Sequence, residues 1–206
     1  ESIAAYGMGD WSEQWAWETD AVPLSGGPVG HSGQLLCANL SGTESMVTFL
    51  GSESGEQQWQ RRDRNRLTVT PTPDESYLSA GRFLSAVDHS GREQWQRPFE
   101  RPIIGAAAAG DRLYVSLQGE IAAVRRDDGT VQWRESIQTV AEPAVANGRV
   151  FAVGDSVVAF DSADGSELWR STDLPAVTTI PAVGDERIYI GAGGDDAEET
   201  FFALDA

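Results

Sequence analysis

Short apolar runs recur along the whole chain, among them Leu35–Asn39, Met46–Leu50, Tyr77–Gly81, Phe83–Val87, Arg112–Ser116, Ile121–Val124 and Val157–Phe160. They are rich in Val, Ile, Leu, Tyr and Phe, and Gly, Asp, Asn or Pro residues bound them. No stretch holds a 3.6-residue pattern, so the chain reads as strands joined by tight turns. The stretch Ala159–Trp169, AFDSADGSELW, shows the scheme in one phrase: a strand, an Asp-rich turn closed by Gly165, and a second strand ending in Trp.

Variants of that phrase end at Trp15, Trp59, Trp95, Trp133 and Trp169, which are 44, 36, 38 and 36 residues apart. Aligning them gives a unit of four strands, a to d, with the Gly turn between c and d. Ile3–Trp15 supplies only c and d, four full units follow, and the residues after Trp169 supply a, b and c. Asn147-Gly148, Gly110-Asp111 and Gly184-Asp185 each precede a b strand, so the a–b turn recurs as well. Repeats of about 40 residues built from antiparallel strands point to an all-β propeller or a solenoid, and four-stranded units favour the propeller. Residues 1–206 read as a single β-propeller domain of about five blades, with repeat boundaries near the five Trp residues.

The pattern Ala-x-Asp-x-x-x-Gly-x-x-x-Trp at Ala159–Trp169 resembles the tryptophan-docking motif of the pyrroloquinoline-quinone-like (PQQ-like) propeller repeats, and AVDHSGREQW and FFALDA are similar to it. The resemblance implies structural docking by Trp15, Trp59, Trp95, Trp133 and Trp169 on neighbouring turns that carry Gly55, Gly91, Gly129 and Gly165. Arg125 stands where Asp is usual, Phe49 and Gly51 replace Ala and Asp, and Trp11 takes a Gly place, so less regular docking is expected there. Family members have about seven or eight blades. The chain therefore reads either as a closed five-blade ring or as part of a larger propeller.

Charge narrows the function classes. The formal charge is −17, and all 15 basic residues are Arg. Such a surface suits concentrated salt, where a short Debye length screens self-repulsion, so we read the protein as halophilic. It excludes nucleic acid, whose phosphates need a basic footprint. The single cysteine, Cys37, reads as a small buried hydrophobe and allows no intrachain disulfide. No run of about 20 apolar residues appears.

Catalysis finds little support in the sequence. The family's quinoprotein dehydrogenases use a vicinal disulfide and a calcium site with a catalytic Asp, and neither is matched here, so the expectation is no cofactor. Glycoside cleavage needs paired carboxylates, whereas the innermost strands carry only Glu142. His31 and His89 read as exposed turn residues without a ligand cluster, and the acidic loop Gly193–Glu199 as a solvated hairpin, so no metal is expected.

One feature runs against the global charge. Arg61, Arg62, Arg64 and Arg66 lie in one d–a connection and Arg97 and Arg101 in the next. They read either as a partner-binding basic patch or as residues paired internally with Asp63, Glu93 and Glu100. The expected function is a non-catalytic scaffold that binds a protein partner; a small-ligand sensor or enzyme using the axial funnel is the alternative. The resemblance implies an extracytoplasmic or cell-surface location, with a segment before Glu1 as a membrane-surface anchor. The cytoplasm of a halophile is the other setting. Thermal melting checks the salt reading: the midpoint should be higher in molar KCl than in dilute buffer, and equal midpoints contradict it.

Overall fold

The computed structural model describes residues 2–19, 22–23, 29–31, 33–41, 43–172, 174, 177, 179–184, 186–194 and 197–205. Every regular element among them is a strand. The chain falls into two compact units, Glu1–Gln96 and Arg97–Ala206.

In the first unit, β1 (Ser2–Tyr6) and β2 (Glu13–Glu18) form an antiparallel hairpin. A second sheet runs β3 (Val22–Pro23), β5 (Gln34–Ser41), β6 (Glu44–Gly51), β7 (Gln57–Asp63), with β4 (Val29–His31) also paired to β5. The expected a strand over 22–29 is thus seen as two short strands, and residues 24–28 lie outside the described residues. His31 ends β4 instead of standing in a turn. The third sheet is a meander of β8 (Leu67–Pro71), β9 (Ser76–Ala80), β10 (Phe83–Val87) and β11 (Glu93–Pro98). Leu36, Val47 and Phe49 of the second sheet pack on Leu67, Leu78 and Val87 of the third.

The second unit repeats the scheme. Its sheets are β12 (Ile103–Ala109), β13 (Arg112–Leu117), β14 (Glu120–Arg125), β15 (Val131–Glu135), then β16 (Ala144–Ala146), β17 (Arg149–Val153), β18 (Val157–Asp161), β19 (Glu167–Ser171). A three-stranded sheet follows: β20 (Ala182–Gly184), β21 (Arg187–Gly194), β22 (Ala197–Asp205). The acidic segment 193–199 falls at the β21–β22 hairpin, and Asp195 and Asp196 lie outside the described residues. Each sheet here buries one face on the next. Tyr114, Ile121, Ala123 and Trp133 meet Val150, Ala152, Val158 and Phe160, and Phe151, Val153, Val157 and Ala159 meet Ile188, Ile190, Phe202 and Leu204.

The Trp residues organise these interfaces. Across one sheet Tyr114, Ala123 and Trp133 form a row, and the small Ala lets the two rings approach to 5.9 Å between centroids. Phe151, Ala159 and Trp169 repeat the row at 6.0 Å. In the second sheet the sizes are exchanged: Leu36, Phe49 and Trp59 share the row, and Phe49 stacks on Trp59 at 3.9 Å. The residue before each of these Trp is a β-bulge. Trp15, Trp59, Trp133 and Trp169 each pair with strand c, while Gln14, Gln58, Gln132 and Leu168 are skipped. A bulge adds local twist, which turns the indole off its own sheet toward the next one.

There the indole lies over the next c–d turn. Trp133 covers Gly165, where a Cβ would stand 2.7 Å from the ring, and the Gly φ is +80°. Both the space and the conformation therefore call for Gly. Trp15 lies over Gly55 and Trp59 over Gly91 in the same way. The indole N–H donates to a turn carbonyl each time: Trp15 to Ser52 at 3.0 Å, Trp59 to His89 at 3.0 Å, Trp133 to Ser162 at 3.2 Å. Trp95 packs on Tyr77 at 6.0 Å, and Gly129 closes its turn with φ +70°. In the second unit the Ser162 carbonyl also accepts from Tyr114 Oη at 3.1 Å and Arg112 Nη1 at 2.6 Å.

The departures from the motif do not loosen the turns. In the intact turn Asp161 N donates to Ser166 O at 2.8 Å, and Gly165 N donates to Asp161 O at 2.9 Å. Gly51 and Arg125 hold the same pair of main-chain bonds, at 2.9 and 2.8 Å and at 2.8 and 3.1 Å. Even the N-terminal turn keeps them, at 2.9 and 3.0 Å, with Trp11 forced to a φ of +58°. The bonds are main chain to main chain, so side-chain identity at those places matters less than the motif implies.

Trp133→Ala should cost about 3–5 kcal/mol, read as a shift in the denaturant midpoint; an unchanged midpoint would deny the docking role. The turns also carry a pH signature. Backbone N–H groups of Ser12, Thr130 and Ser166 hold Asp10, Asp128 and Asp164 below the ordinary carboxylate range, and the Ser90 hydroxyl does so for Asp88. A lowered native pKa stabilises the fold above the unfolded value of about 3.9, and the gain is lost as pH falls through the native value. Melts in molar KCl between about pH 5 and 2 should therefore fall less steeply for Asp164→Asn than for the natural chain.

Candidate interaction surface

The basic run begins on β7 and continues into its connection to β8. Strand pairing sets Arg61 opposite Val47 and Arg62 opposite Met46, so the two side chains leave on opposite faces of the sheet. Arg61 is half-buried and its Nη1 lies 3.2 Å from Glu93 Oε2 of the third sheet. Arg62 is exposed and donates from Nε to Gln60 Oε1 at 3.1 Å. Asp63 is not a partner for these cations in the described contacts: its Oδ1 accepts from Asn65 N at 2.7 Å and Asn65 Nδ2 at 2.8 Å. That local turn fixes the connection and leaves Arg64 and Arg66 exposed beside Arg62.

A cavity of about 350 Å³ in the second unit is lined by Arg112, Tyr114, Asn147 and Ser162, but the Arg112 guanidinium there is already committed to the Ser162 and Ala163 carbonyls. A smaller, mainly polar cavity of about 180 Å³ adjoins the basic run, lined by Arg61, Asp63, Ser85 and Gln96 with Phe83 at its side. Phe83 is 44% exposed. Arg and exposed aromatic side chains are the residue types enriched at binding surfaces.

Arg97 and Arg101 belong to the second unit. Arg97 is half-buried, and Arg101 Nη1 donates to Gln118 O at 2.9 Å, where it covers the Gly119 end of the β13–β14 turn. The sequence shows charge but not this engagement of Arg101, because its acceptor is a carbonyl 17 residues away.

The other candidates are placed as follows. Cys37 is 2% exposed, and burial pushes its thiol up to about 11. The His89 carbonyl accepts from Trp59 Nε1 and Gln34 Nε2, both at 3.0 Å. Glu142 is half-buried and fills the space that a side chain on Gly105 of β12 would take. Among the described residues no three of His, Cys, Asp and Glu converge as metal ligands would.

A family model described as outer membrane protein assembly factor BamB matches residues 1–206. No curated protein matches the chain. Among solved structures, BamB from Moraxella catarrhalis is 17% identical with a TM-score of 0.76, covering 100% of this chain and 70% of that one. The computationally designed Ika8 protein is 13% identical with a TM-score of 0.74, over 97% of this chain and 64% of that one. Quinohemoprotein alcohol dehydrogenase from Comamonas testosteroni is 14% identical with a TM-score of 0.65, over 86% of this chain and 40% of that one. At these identities the structural likeness shows the fold, a β-propeller, and not the activity. A family match along the whole chain, in a fold shared with a solved member, shows that the chain belongs to the PQQ-like repeat β-propellers described as outer membrane protein assembly factor BamB.

Proposed function

We propose that this chain is a non-catalytic propeller module that captures an extracytoplasmic protein partner through Arg62, Arg64 and Arg66. The observation that carries the reading is local: three exposed Arg residues fall within a five-residue stretch on a molecule of net charge −17. Arg62 lies near the end of β7, and Arg64 and Arg66 in the connection that follows it. A partner with an acidic segment would match these cations. Arg suits the task because its planar fork can hold a carboxylate by two bonds.

In concentrated salt the screening length is about 3 Å, so long-range steering contributes little and the pairs must form at contact. Arg62, held by Gln60 Oε1 at 3.1 Å, and Arg64 and Arg66, flanking the Asn65 turn, would form such pairs. The family description names an assembly factor, which supports a binding role. The alcohol dehydrogenase neighbour shows that the same fold also hosts enzymes. The present chain has one cysteine and reads Glu142 as the lone carboxylate of its innermost strands.

The test compares capture of envelope proteins from the native host by the natural chain and by Arg62→Ser/Arg64→Ser/Arg66→Ser. Yield should fall about tenfold, as expected for three contact pairs of ~0.2–1 kcal/mol each, with the melting profile kept. Equal yields contradict the patch. A thermal shift with pyrroloquinoline quinone or sugars that the triple-Ser variant keeps would instead favour a ligand funnel.

A further inference from the structure

We propose that the cavity between the β12–β15 and β16–β19 sheets binds a free α-amino acid with a small apolar side chain. Both sheets lie inside the unit Arg97–Ala206, and neither is the first or last sheet of the chain. The cavity measures about 350 Å³, within the size range of small-molecule pockets and near its lower end, about 300 Å³. On one side stands the turn from β12 to β13, and on the other the turns from β16 to β17 and from β18 to β19. Two glycines keep the space open. Gly110 and Gly148 hold φ of +59° and +74°, and a Cβ on Gly110 would meet nothing within 4 Å.

Polar groups with bonding capacity left over meet at this cavity. Arg112 donates to the Ser162 and Ala163 carbonyls from Nη1 alone. Its Nη2 makes no bond among the described residues, and its Nε stands 3.8 Å from Asp111 Oδ1, beyond hydrogen-bond reach. The Asp111 side chain is 89% exposed, so its carboxylate is not spent on the fold. Ser162 serves the fold through its main chain, donating to Gly148 O and accepting from Arg112 and Tyr114. Its hydroxyl makes no hydrogen bond among the described residues. Ala109, Val145 and Ala146 add an apolar wall.

The repeat itself does not call for Arg112. Tyr77 stands opposite Ala86 as Tyr114 stands opposite Ala123, yet two places before Tyr77 the residue is Glu75.

A guanidinium and a carboxylate 3.8 Å apart select a ligand that carries an anion and a cation on a short skeleton. An α-amino acid has both charges on one carbon. Its carboxylate would take Arg112 Nη2 and the Ser162 hydroxyl, its ammonium would take Asp111, and its side chain would lie on Val145 and Ala146. A carboxylate alone would face Asp111, and an amine alone would face Arg112, each with like-charge repulsion.

Titration of the isotope-labelled full chain in molar KCl at neutral pH, followed by amide chemical shifts, tests the site. The probes are leucine, isocaproate, which lacks the ammonium, and isoamylamine, which lacks the carboxylate. Leucine should give saturable shifts at Gly110, Arg112, Asn147 and Gly148, and each analogue should bind at least about tenfold more weakly. Asp111→Asn, at an exposed side chain, should weaken leucine to the level of isocaproate without weakening isocaproate. Arg112 is left in place because its Nη1 holds the neighbouring turn. Three results overturn the proposal: no saturable leucine shift at these residues, an analogue that binds as tightly as leucine, or an Asp111→Asn chain that binds leucine as the natural one does.

Discussion

An indole ring laid over a glycine turn is the contact on which the remaining structure depends. A four-stranded antiparallel sheet with both faces apolar has no stable existence alone, and it must be covered by neighbours. Here the cover is supplied by the adjacent sheet, and Trp15, Trp59 and Trp133 set how the two meet. Trp133 contributes apolar area against Phe160 and Gly165, and its N–H satisfies the Ser162 carbonyl. The same three elements recur at Trp15 over Gly55 and Trp59 over Gly91.

Much of this could be read from sequence because the repeat states it several times. The Trp spacing and the closing Gly residues mark the hairpins, and the described strands follow the a-to-d order from the N-terminal hairpin to the three-stranded sheet. Other features were hidden for physical reasons. Leu36 and Phe49 exchange sizes across one row, which appears in sequence only as a lost Ala. The bulges at Gln14, Gln58, Gln132 and Leu168 arise from register, which no single strand encodes. Turns at Gly51 and Arg125 survive without Asp because their closing bonds are between main-chain groups.

The surface was less legible than the core. Six Arg residues look alike in sequence, but Arg61 pairs with Glu93 and Arg101 closes a distant turn. Both partners are set by strand register and turn geometry. What stays exposed in the first connection is Arg62, Arg64 and Arg66. The division is what the fold predicts for such a protein: the recurring residues hold sheets together, and the features that distinguish one connection from another face outward.

The account rests on the steric fit between indole and turn, and a pair of substitutions measures that fit directly. Gly165 and Gly110 both have positive φ, at +80° and +59°, but only at Gly165 would a Cβ meet a ring. In equilibrium denaturation Gly110→Ala should lose about 1 kcal/mol, the left-handed backbone cost alone. Gly165→Ala should lose that and a further ~1–3 kcal/mol from overpacking against Trp133. Equal losses at the two positions would contradict the claim that the indole docks on the turn.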